Sequence, residues 1–161
     1  MVLIDQLSKA WALHHLAGRG IEPLLPGLLQ QQLVFNTGAA FSMFFGNNHI
    51  LAIVALAALV VLYLFRHHFE SKTLLGQLAF GFIFGGILGN LTDRLLPSRH
   101  HVIDFIRFYL DRPTGEVGFP AFNIADSGIC VGVALVFWLT WRSDKAKPAS
   151  VDSSRQEQGP S

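Results

Sequence analysis

Uncharged apolar stretches of membrane length dominate this sequence. The run from Ile50 to Phe65, with His49 included, would form a helix about 25 Å long, close to the thickness of a bilayer's hydrocarbon core. Leu74 to Leu91 is also uncharged, and Ile124 to Trp141 carries only Asp126. The chain of 161 residues is 51% hydrophobic and only 14% charged, too apolar for an ordinary water-soluble domain of this size. The sequence therefore predicts an α-helical integral membrane protein.

The opening segment, Met1 to Leu16, is a weaker candidate span because charged residues interrupt it. Asp5 and Lys9 are four residues apart, so they lie on one face of a helix, and we expect them to pair as structural support of the first span. They also break the apolar core that a cleavable signal peptide needs. Asp5 follows only four residues, so we expect either a misassigned start or a missing first turn.

Four spans would place both termini on one side of the membrane. The cations favour cytoplasmic termini only narrowly. Six fall on the side of the termini, and five on the other side: Arg66, Lys72, Arg142, Lys145, Lys147 and Arg155, against Arg19, Arg94, Arg99, Arg107 and Arg112. We predict a membrane domain over residues 1–142 and a disordered cytoplasmic tail over 143–161. The net charge of +1 argues against a nucleic-acid partner.

Two segments outside the spans are expected to carry structure of their own. In the first, Gly18 to Asn48, the stretch Leu28 to Phe35 predicts a strand, and residues 36–39 predict a turn. In the second, Leu95 to Phe122, the apolar stretch Val102 to Leu110 predicts either a strand or an interfacial helix. We expect that stretch to form part of a lid. Gly85 and Gly89 predict close helix packing in the third span.

Cys130, the sole cysteine, lies in the last apolar stretch and is predicted to be a buried structural thiol. The histidines occur as adjacent pairs, which are poor chelates because neighbouring side chains on a helix diverge. No serine stands in a nucleophile-elbow context. These features argue against a metal site and against serine or cysteine peptidase chemistry.

Asp104 and Asp126 flank the short segment that leads into the last apolar stretch. A carboxylate at a membrane edge is costly unless it is paired, hydrated or used, so each is a functional-site hypothesis. Taken singly, Asp126 fits equally well as a residue that stabilises a helix start, and Asp104 fits an ordinary loop position. Taken together, they suggest a carboxylate pair that shares one proton, as in an aspartic protease.

Five polar signatures occur in order along the four predicted spans. They are Asp5-Gln6-x-Ser8-Lys9, Asn36-x-Gly38-x-Ala40-Phe41-Ser42, Gly85-Gly86-x-x-Gly89-Asn90-x-x-Asp93-Arg94, Val102-x-Asp104-Phe105 and Phe122-Asn123-x-Ala125-Asp126-Ser127. Together they resemble lipoprotein signal peptidase, the type II signal peptidase of bacteria, over nearly the whole chain to about Trp141. The resemblance implies four transmembrane helices with a small extracytoplasmic β-containing segment and an extracytoplasmic lid segment.

The same resemblance implies an intramembrane aspartic endopeptidase of the bacterial inner membrane, active at its extracytoplasmic face. It would remove the signal peptide from diacylglyceryl-modified prolipoproteins before the lipidated cysteine, without metal or other cofactor. Its partners would be that substrate and the lipid bilayer. The implied catalytic pair is Asp104 and Asp126. The implied substrate-binding residues are Asn36, Gly38, Asn90, Arg94 and Asn123.

Two other classes of function account for parts of the sequence. A proton-coupled transporter would use the acidic residues as a relay, but it predicts polar residues at mid-bilayer, whereas these acids lie at span ends. An assembly factor would use the glycines of the third span to bind another helix.

Overall fold

The computed structural model of the protein describes residues 1–38, 46–69 and 73–146. Within these ranges it contains four α-helices, one turn of 3₁₀ helix and four β-strands. The helices are α1 (Val2–His15), α2 (Asn48–Leu64), α3 (Leu74–Leu95) and α4 (Ile124–Ala146), and the 3₁₀ turn is Arg66–His68. The strands are β1 (Glu22–Leu25), β2 (Leu29–Asn36), β3 (Val102–Arg112) and β4 (Gly115–Gly118).

Two of the described helices are long and apolar enough to cross a membrane. They cover Leu74–Leu95 and Ile124–Ser143, with mean hydropathies of 1.6 and 1.7. Helix α2 is equally apolar in character but has 17 residues, and α1 has 14. The membrane character of the chain is thus supported by α3 and α4, whereas four complete spans stay a prediction.

Helices α3 and α4 pack closely because α3 presents glycines to its neighbours. A Cβ atom on Gly86 would lie 2.5 Å from the carbonyl oxygen of Ala125 in α4. A Cβ atom on Gly89 would lie 2.6 Å from the Asp5 carboxylate in α1, and one on Gly85 would meet Met1. The expectation of close helix packing at Gly85 and Gly89 is confirmed, and Gly86 belongs to the same contact surface.

The strands form one antiparallel sheet in the order β1-β2-β3-β4. The predicted strand Leu28 to Phe35 corresponds to β2, and the stretch Val102 to Leu110 is a strand rather than an interfacial helix. Its β-branched and aromatic residues favour that state. The partners in β2 and β3 include Val34 opposite Asp104, so the sheet carries one of the predicted site residues at its centre.

The start of β3 is part of the core of the molecule. Ile103 and Phe105 are buried against Ala12 and Leu16 of the first helical segment. All four residues from Val102 to Phe105 are buried, so the first half of this strand does not fit the expected lid. The hairpin of β4 with the end of β3 is exposed and is the part that remains a candidate lid.

Two predictions near the C-terminus were wrong. Cys130 is exposed rather than buried, because its side chain lines an open cavity beside α4. The tail was predicted from residue 143, but α4 continues to Ala146. Lys145 lies over the ring of Trp141, 4.1 Å from its centroid, and this cation–π contact at i,i+4 spacing supports the extra turn. Residues 147–161 lie outside the described part of the chain.

Candidate active site

An open cavity of about 860 Å³ lies between the sheet and helices α3 and α4. Six of the predicted site residues line it: Asn36, Gly38, Asn90, Arg94, Asp104 and Asp126. Asn123 is fully buried directly behind the cavity wall. The structure thus brings together residues from β2, β3, α3 and α4 that are up to 90 positions apart in sequence.

Asp104 is held by two side-chain amides. It lies on β3 and only 1% of its surface is exposed. Asn36, at the end of the neighbouring strand β2, donates from Nδ2 to Oδ2 of Asp104 over 2.8 Å. Asn123 donates from Nδ2 to Oδ1 over 2.6 Å. Each carboxyl oxygen therefore has one donor, and the strand pairing of β2 with β3 fixes the direction in which the carboxyl group points.

Asp126 is held by the start of α4. Asn123 precedes the helix, and its Oδ1 accepts from the backbone N–H of Asp126 at 3.0 Å. In return, Oδ2 of Asp126 accepts from the backbone N–H of Asn123 at 3.1 Å. This reciprocal arrangement is a capping box. The structural interpretation of Asp126 as a helix-start residue and its proposed place in the site are therefore both compatible with the structure.

Two asparagines connect the aspartates. Asn123 bonds to Asp104 and also approaches Oδ1 of Asn90 with its Nδ2, at 3.1 Å. Asn90 donates from its own Nδ2 to Oδ1 of Asp126 over 2.7 Å. The two carboxyl groups, which belong to a strand and a helix, are thereby joined through one continuous set of amide hydrogen bonds.

Arg94 and Gly38 lie at the rim of the cavity. Arg94 is one turn after Asn90 on α3, as its spacing predicted, and both line the cavity. Its guanidinium donates to the carbonyl of Asn90 at 3.3 Å and to that of Gly38 at 3.1 Å. The backbone N–H of Gly38 donates to Oδ1 of Asn36 at 2.9 Å, which forms the start of the predicted turn. Residue 39, the last of that turn, lies outside the described residues.

The predicted pair of Asp5 and Lys9 is present and fully buried. Lys9 Nζ lies 2.8 Å from Asp5 Oδ2 and 2.7 Å from Asp93 Oδ2. Asp93 also pairs with Arg99. Asp5 accepts from the backbone N–H of Ala125 at 3.0 Å. The pair therefore ties α1 to α3 and to the first turn of α4.

The electrostatics of the cavity disfavour ionisation of Asp104. The pKa of Asp104 is raised to about 6. Burial is the larger cause of this rise, and the negative charge of Asp126 is the second. The amides of Asn36 and Asn123 and the charge of Lys9 act in the opposite direction but more weakly. A carboxyl group with such a pKa keeps its proton in mildly acidic conditions, in which an ordinary aspartate has lost it.

Several residues at the site were not singled out by the sequence. Arg107 and Cys130 line the cavity. Behind it lies an ion-pair layer formed by Asp5, Lys9, Asp93 and Arg99, and Gln6 is hydrogen-bonded to it. Gln6 donates to Asp5 and Asp93 and accepts from Arg99. Gln6 stood in the first polar signature, next to Asp5, so the signal for it was available. Arg99 and Arg107 had no such signal, because their positions depend on the sheet and on the chain after α3.

Two carboxyl groups that face one cavity can act as an acid and a base. One in its ionised form takes a proton from water, and the other in its protonated form donates to a leaving group. The amide and guanidinium groups around them can hold a peptide backbone.

Comparisons with known proteins agree on one family of peptidases. A family model described as signal peptidase (SPase) II matches residues 1–142. The chain is 41% identical over 143 residues to the lipoprotein signal peptidase of Burkholderia vietnamiensis, covering 86% of this chain and 81% of that protein. It is 38% identical over 137 residues to that of Symbiobacterium thermophilum, covering 84% and 86%.

Two solved structures, both described as bacterial membrane enzymes, have the same fold. One has a TM-score of 0.72 at 29% identity and covers 93% of this chain and 88% of the other. The second has a TM-score of 0.69 at 30% identity and covers 86% of each chain. With the family model matching most of its length, the chain belongs to the signal peptidase II family.

Proposed function

We propose that the chain is an aspartic endopeptidase that removes the signal peptide from diacylglyceryl-modified prolipoproteins, with Asp104 and Asp126 as its catalytic pair. One observation carries the proposal: the two carboxyl groups come from different elements, line the same cavity and are linked through Asn123 and Asn90. Membership of the signal peptidase II family supplies the reaction class.

In the proposed reaction, water attacks the carbonyl carbon of the scissile peptide bond. The ionised carboxylate takes a proton from that water, and the protonated carboxyl group donates its proton to the departing amide nitrogen. The raised pKa of Asp104 supports placing the shared proton on that residue. Asp126 is then the base. Its ionised form is stabilised by the Asn90 amide, the Asn123 N–H and the dipole of α4. The observed titration would belong to the pair.

The proposed substrate contacts surround this pair. Asn36, Asn90 and Asn123 hold the two carboxyl groups, and a substrate backbone would extend over them towards Arg94 and the Gly38 carbonyl at the rim. Exposed apolar side chains on the helices, such as Leu3, Ile53 and Phe137, would face lipid. We propose that the diacylglyceryl chains lie in the bilayer beside these helices, with the site at the extracytoplasmic face of a bacterial inner membrane.

The test is cleavage of a diacylglyceryl-modified prolipoprotein by the purified protein in detergent, followed by release of the signal peptide. We expect Asp104→Asn and Asp126→Asn each to reduce kcat by roughly a thousandfold or more, because each removes one half of the acid–base pair. Asp111→Asn is the matched control. It makes the same chemical change at an exposed position of the same strand as Asp104, outside the cavity, and should retain the original rate.

Retention of the original rate by either cavity variant would exclude the pair as the catalytic residues. Folding of each variant is checked by its elution as a single species and by its melting temperature. If the unmodified chain fails to cleave the lipid-modified substrate under conditions in which it is folded, the proposed substrate class is wrong.

A further inference from the structure

Lys9 lies behind the cavity, yet it is one hydrogen bond away from the side chain that holds Asp126. Its Nζ donates to Oδ1 of Asn90 over 2.8 Å, and Nδ2 of Asn90 donates to Oδ1 of Asp126 over 2.7 Å. An amide has one accepting end and one donating end, whereas an ammonium group can only donate. Lys9, the shorter of two donors to that oxygen beside Asn123 Nδ2 at 3.1 Å, therefore stabilises the orientation of Asn90 in which the NH₂ group faces Asp126.

The other contacts of Lys9 account for its burial. Its side chain is fully buried, and its remaining bonds go to Asp5 and Asp93. The layer contains two cations, Lys9 and Arg99, and two anions, so its charges balance. These ion pairs connect α1 and α3 without any need for Asn90. The third bond of Lys9, to Asn90, is the one that leads to the cavity.

Charged groups face Lys9 from every element packed around it. Asp5 belongs to α1, Asp93 to α3 and Arg99 to the segment after α3. Asp104 of β3 and Asp126 of α4 lie close enough for their charges to interact with that of Lys9. Among these, the positive charge of Lys9 is one of the influences that lower the pKa of Asp104. Lys9 thus acts on one aspartate through Asn90 and on the other through its charge.

We propose that Lys9 is a positioning residue of the active site: it orients the Asn90 donor that holds Asp126, and its charge faces both aspartates. The inference rests on the proposed function, because it assumes that Asp104 and Asp126 are the catalytic pair. It adds to the tethering role expected for Lys9 from its spacing to Asp5.

The test is the pH profile of cleavage for Lys9→Met, which keeps the length of the side chain but removes its charge and donors. We expect kcat to fall by about tenfold to a hundredfold, because Asn90 then loses its shorter donor and keeps only the 3.1 Å bond from Asn123 to hold its amide in place. We expect KM to stay within about twofold, because substrate contacts are unchanged.

The alkaline limb of the same profile should move to higher pH. Activity requires Asp104 in its protonated form and is lost as the pH rises through the pKa of Asp104. Removing a nearby positive charge raises that pKa, so the variant should keep its remaining activity to higher pH than the unmodified chain. A purely structural Lys9 would alter the folded fraction and leave the position of this limb unchanged.

A charge-balanced variant keeps the proposal testable if Lys9→Met does not fold. Lys9→Met combined with Asp5→Asn removes one cation and one anion and leaves the pair of Asp93 with Arg99. The amide oxygen that this second substitution introduces can still accept from the Ala125 N–H. We expect the same fall in kcat and a smaller shift of the limb, because the loss of the Asp5 anion offsets part of the effect of losing the Lys9 cation.

Asp93→Asn is the control, because it breaks ion pairs of the same layer while the bond from Lys9 to Asn90 is kept. It should lower the melting temperature without moving the limb to higher pH. A folded Lys9→Met/Asp5→Asn variant with the original kcat and the original limb would overturn the role of Lys9. The catalytic pair would stand in that case, since it fails only if Asp104→Asn or Asp126→Asn remains active.

Discussion

At the scale of single residues, the clearest physical conflict lies at Asp104. Its carboxyl group is almost completely buried, yet it accepts hydrogen bonds from two amides that also favour its charged form. Burial and the nearby Asp126 outweigh those donors, and the pKa of Asp104 rises to about 6. A raised pKa of this kind is what the proposed general acid requires.

The raised pKa of Asp104 should appear in the stability of the protein. Between pH 4 and pH 6 the folded chain binds a proton at Asp104 that the unfolded chain has lost, so the free energy of unfolding falls as pH rises through that window. A shift of this size corresponds to roughly 2–3 kcal/mol. We expect Asp104→Asn to reduce this slope, measured as melting temperature against pH in detergent. An unchanged slope relative to the original chain would show that Asp104 titrates normally.

Cys130 offers a second measurement at this scale, because it is the sole cysteine and lines the cavity one turn after Asp126. We expect a small neutral thiol reagent to modify it, and we expect bound lipid-modified substrate to slow the modification several-fold. The inactive Asp104→Asn variant prevents turnover while the rate is followed by mass spectrometry. His67→Cys in a Cys130→Ser background is the control, because that exposed position in the turn between α2 and α3 lies outside the cavity and away from the candidate lid. Equal protection at both positions would rule out occupation of this cavity.

At the scale of elements, the contact of α3 with α4 determines where Asp126 lies. Gly86 touches the backbone carbonyl of Ala125, the residue before Asp126. The sequence indicated close packing through the GxxxG pattern at Gly85 and Gly89, but the partners of each glycine depend on helix rotation. Rotation follows from tertiary packing, which no local pattern encodes.

Alanine at Gly86 should therefore affect both stability and activity. Its Cβ would lie 2.5 Å from the Ala125 oxygen and 2.6 Å from Ile129 Cγ1, so α4 must shift. We expect a loss of about 1–3 kcal/mol in the free energy of unfolding together with reduced cleavage. Gly81→Ala is the matched control on the same helix, since nothing lies within 4 Å of a Cβ there; it should gain up to about 1 kcal/mol. Equal effects of the two substitutions would exclude steric contact with α4 as the cause.

The strands differ in how well local sequence patterns predicted them. The strand at Leu29–Asn36 was predicted within one residue at each end, and the strand at Val102–Arg112 was one of two alternatives. The short strands β1 and β4 were not predicted, because each has only four residues and lacks alternating polarity. The pairing of β2 with β3, which sets Asn36 beside Asp104, joins segments nearly 70 positions apart. Such pairing depends on the whole chain rather than on local propensity.

At the scale of the whole molecule, six of the seven residues predicted from the polar signatures to be catalytic or substrate-binding line a single cavity. The exception, Asn123, lies behind the wall and holds both aspartates. The sequence could not predict that the pair of Asp5 and Lys9 extends to Asp93, Asn90 and the α4 backbone, since these contacts join three helices. The candidate site therefore depends on contacts that join α1, α3 and α4.

The proposed orientation, with the cavity at the extracytoplasmic face, can be tested at the two ends of α3. The turn between α2 and α3 precedes this helix and β3 of the sheet follows it, so the turn and the sheet lie at its opposite ends. We expect an impermeant maleimide applied to intact spheroplasts to label Thr114→Cys, at the tip of the β3–β4 hairpin, but not His67→Cys, which is exposed in that turn. Both variants are made in a Cys130→Ser background. After permeabilisation both should react, which shows that the protected cysteine is accessible. Labelling of His67→Cys but not Thr114→Cys in intact cells would place the cavity on the cytoplasmic side and contradict the proposed extracytoplasmic cleavage.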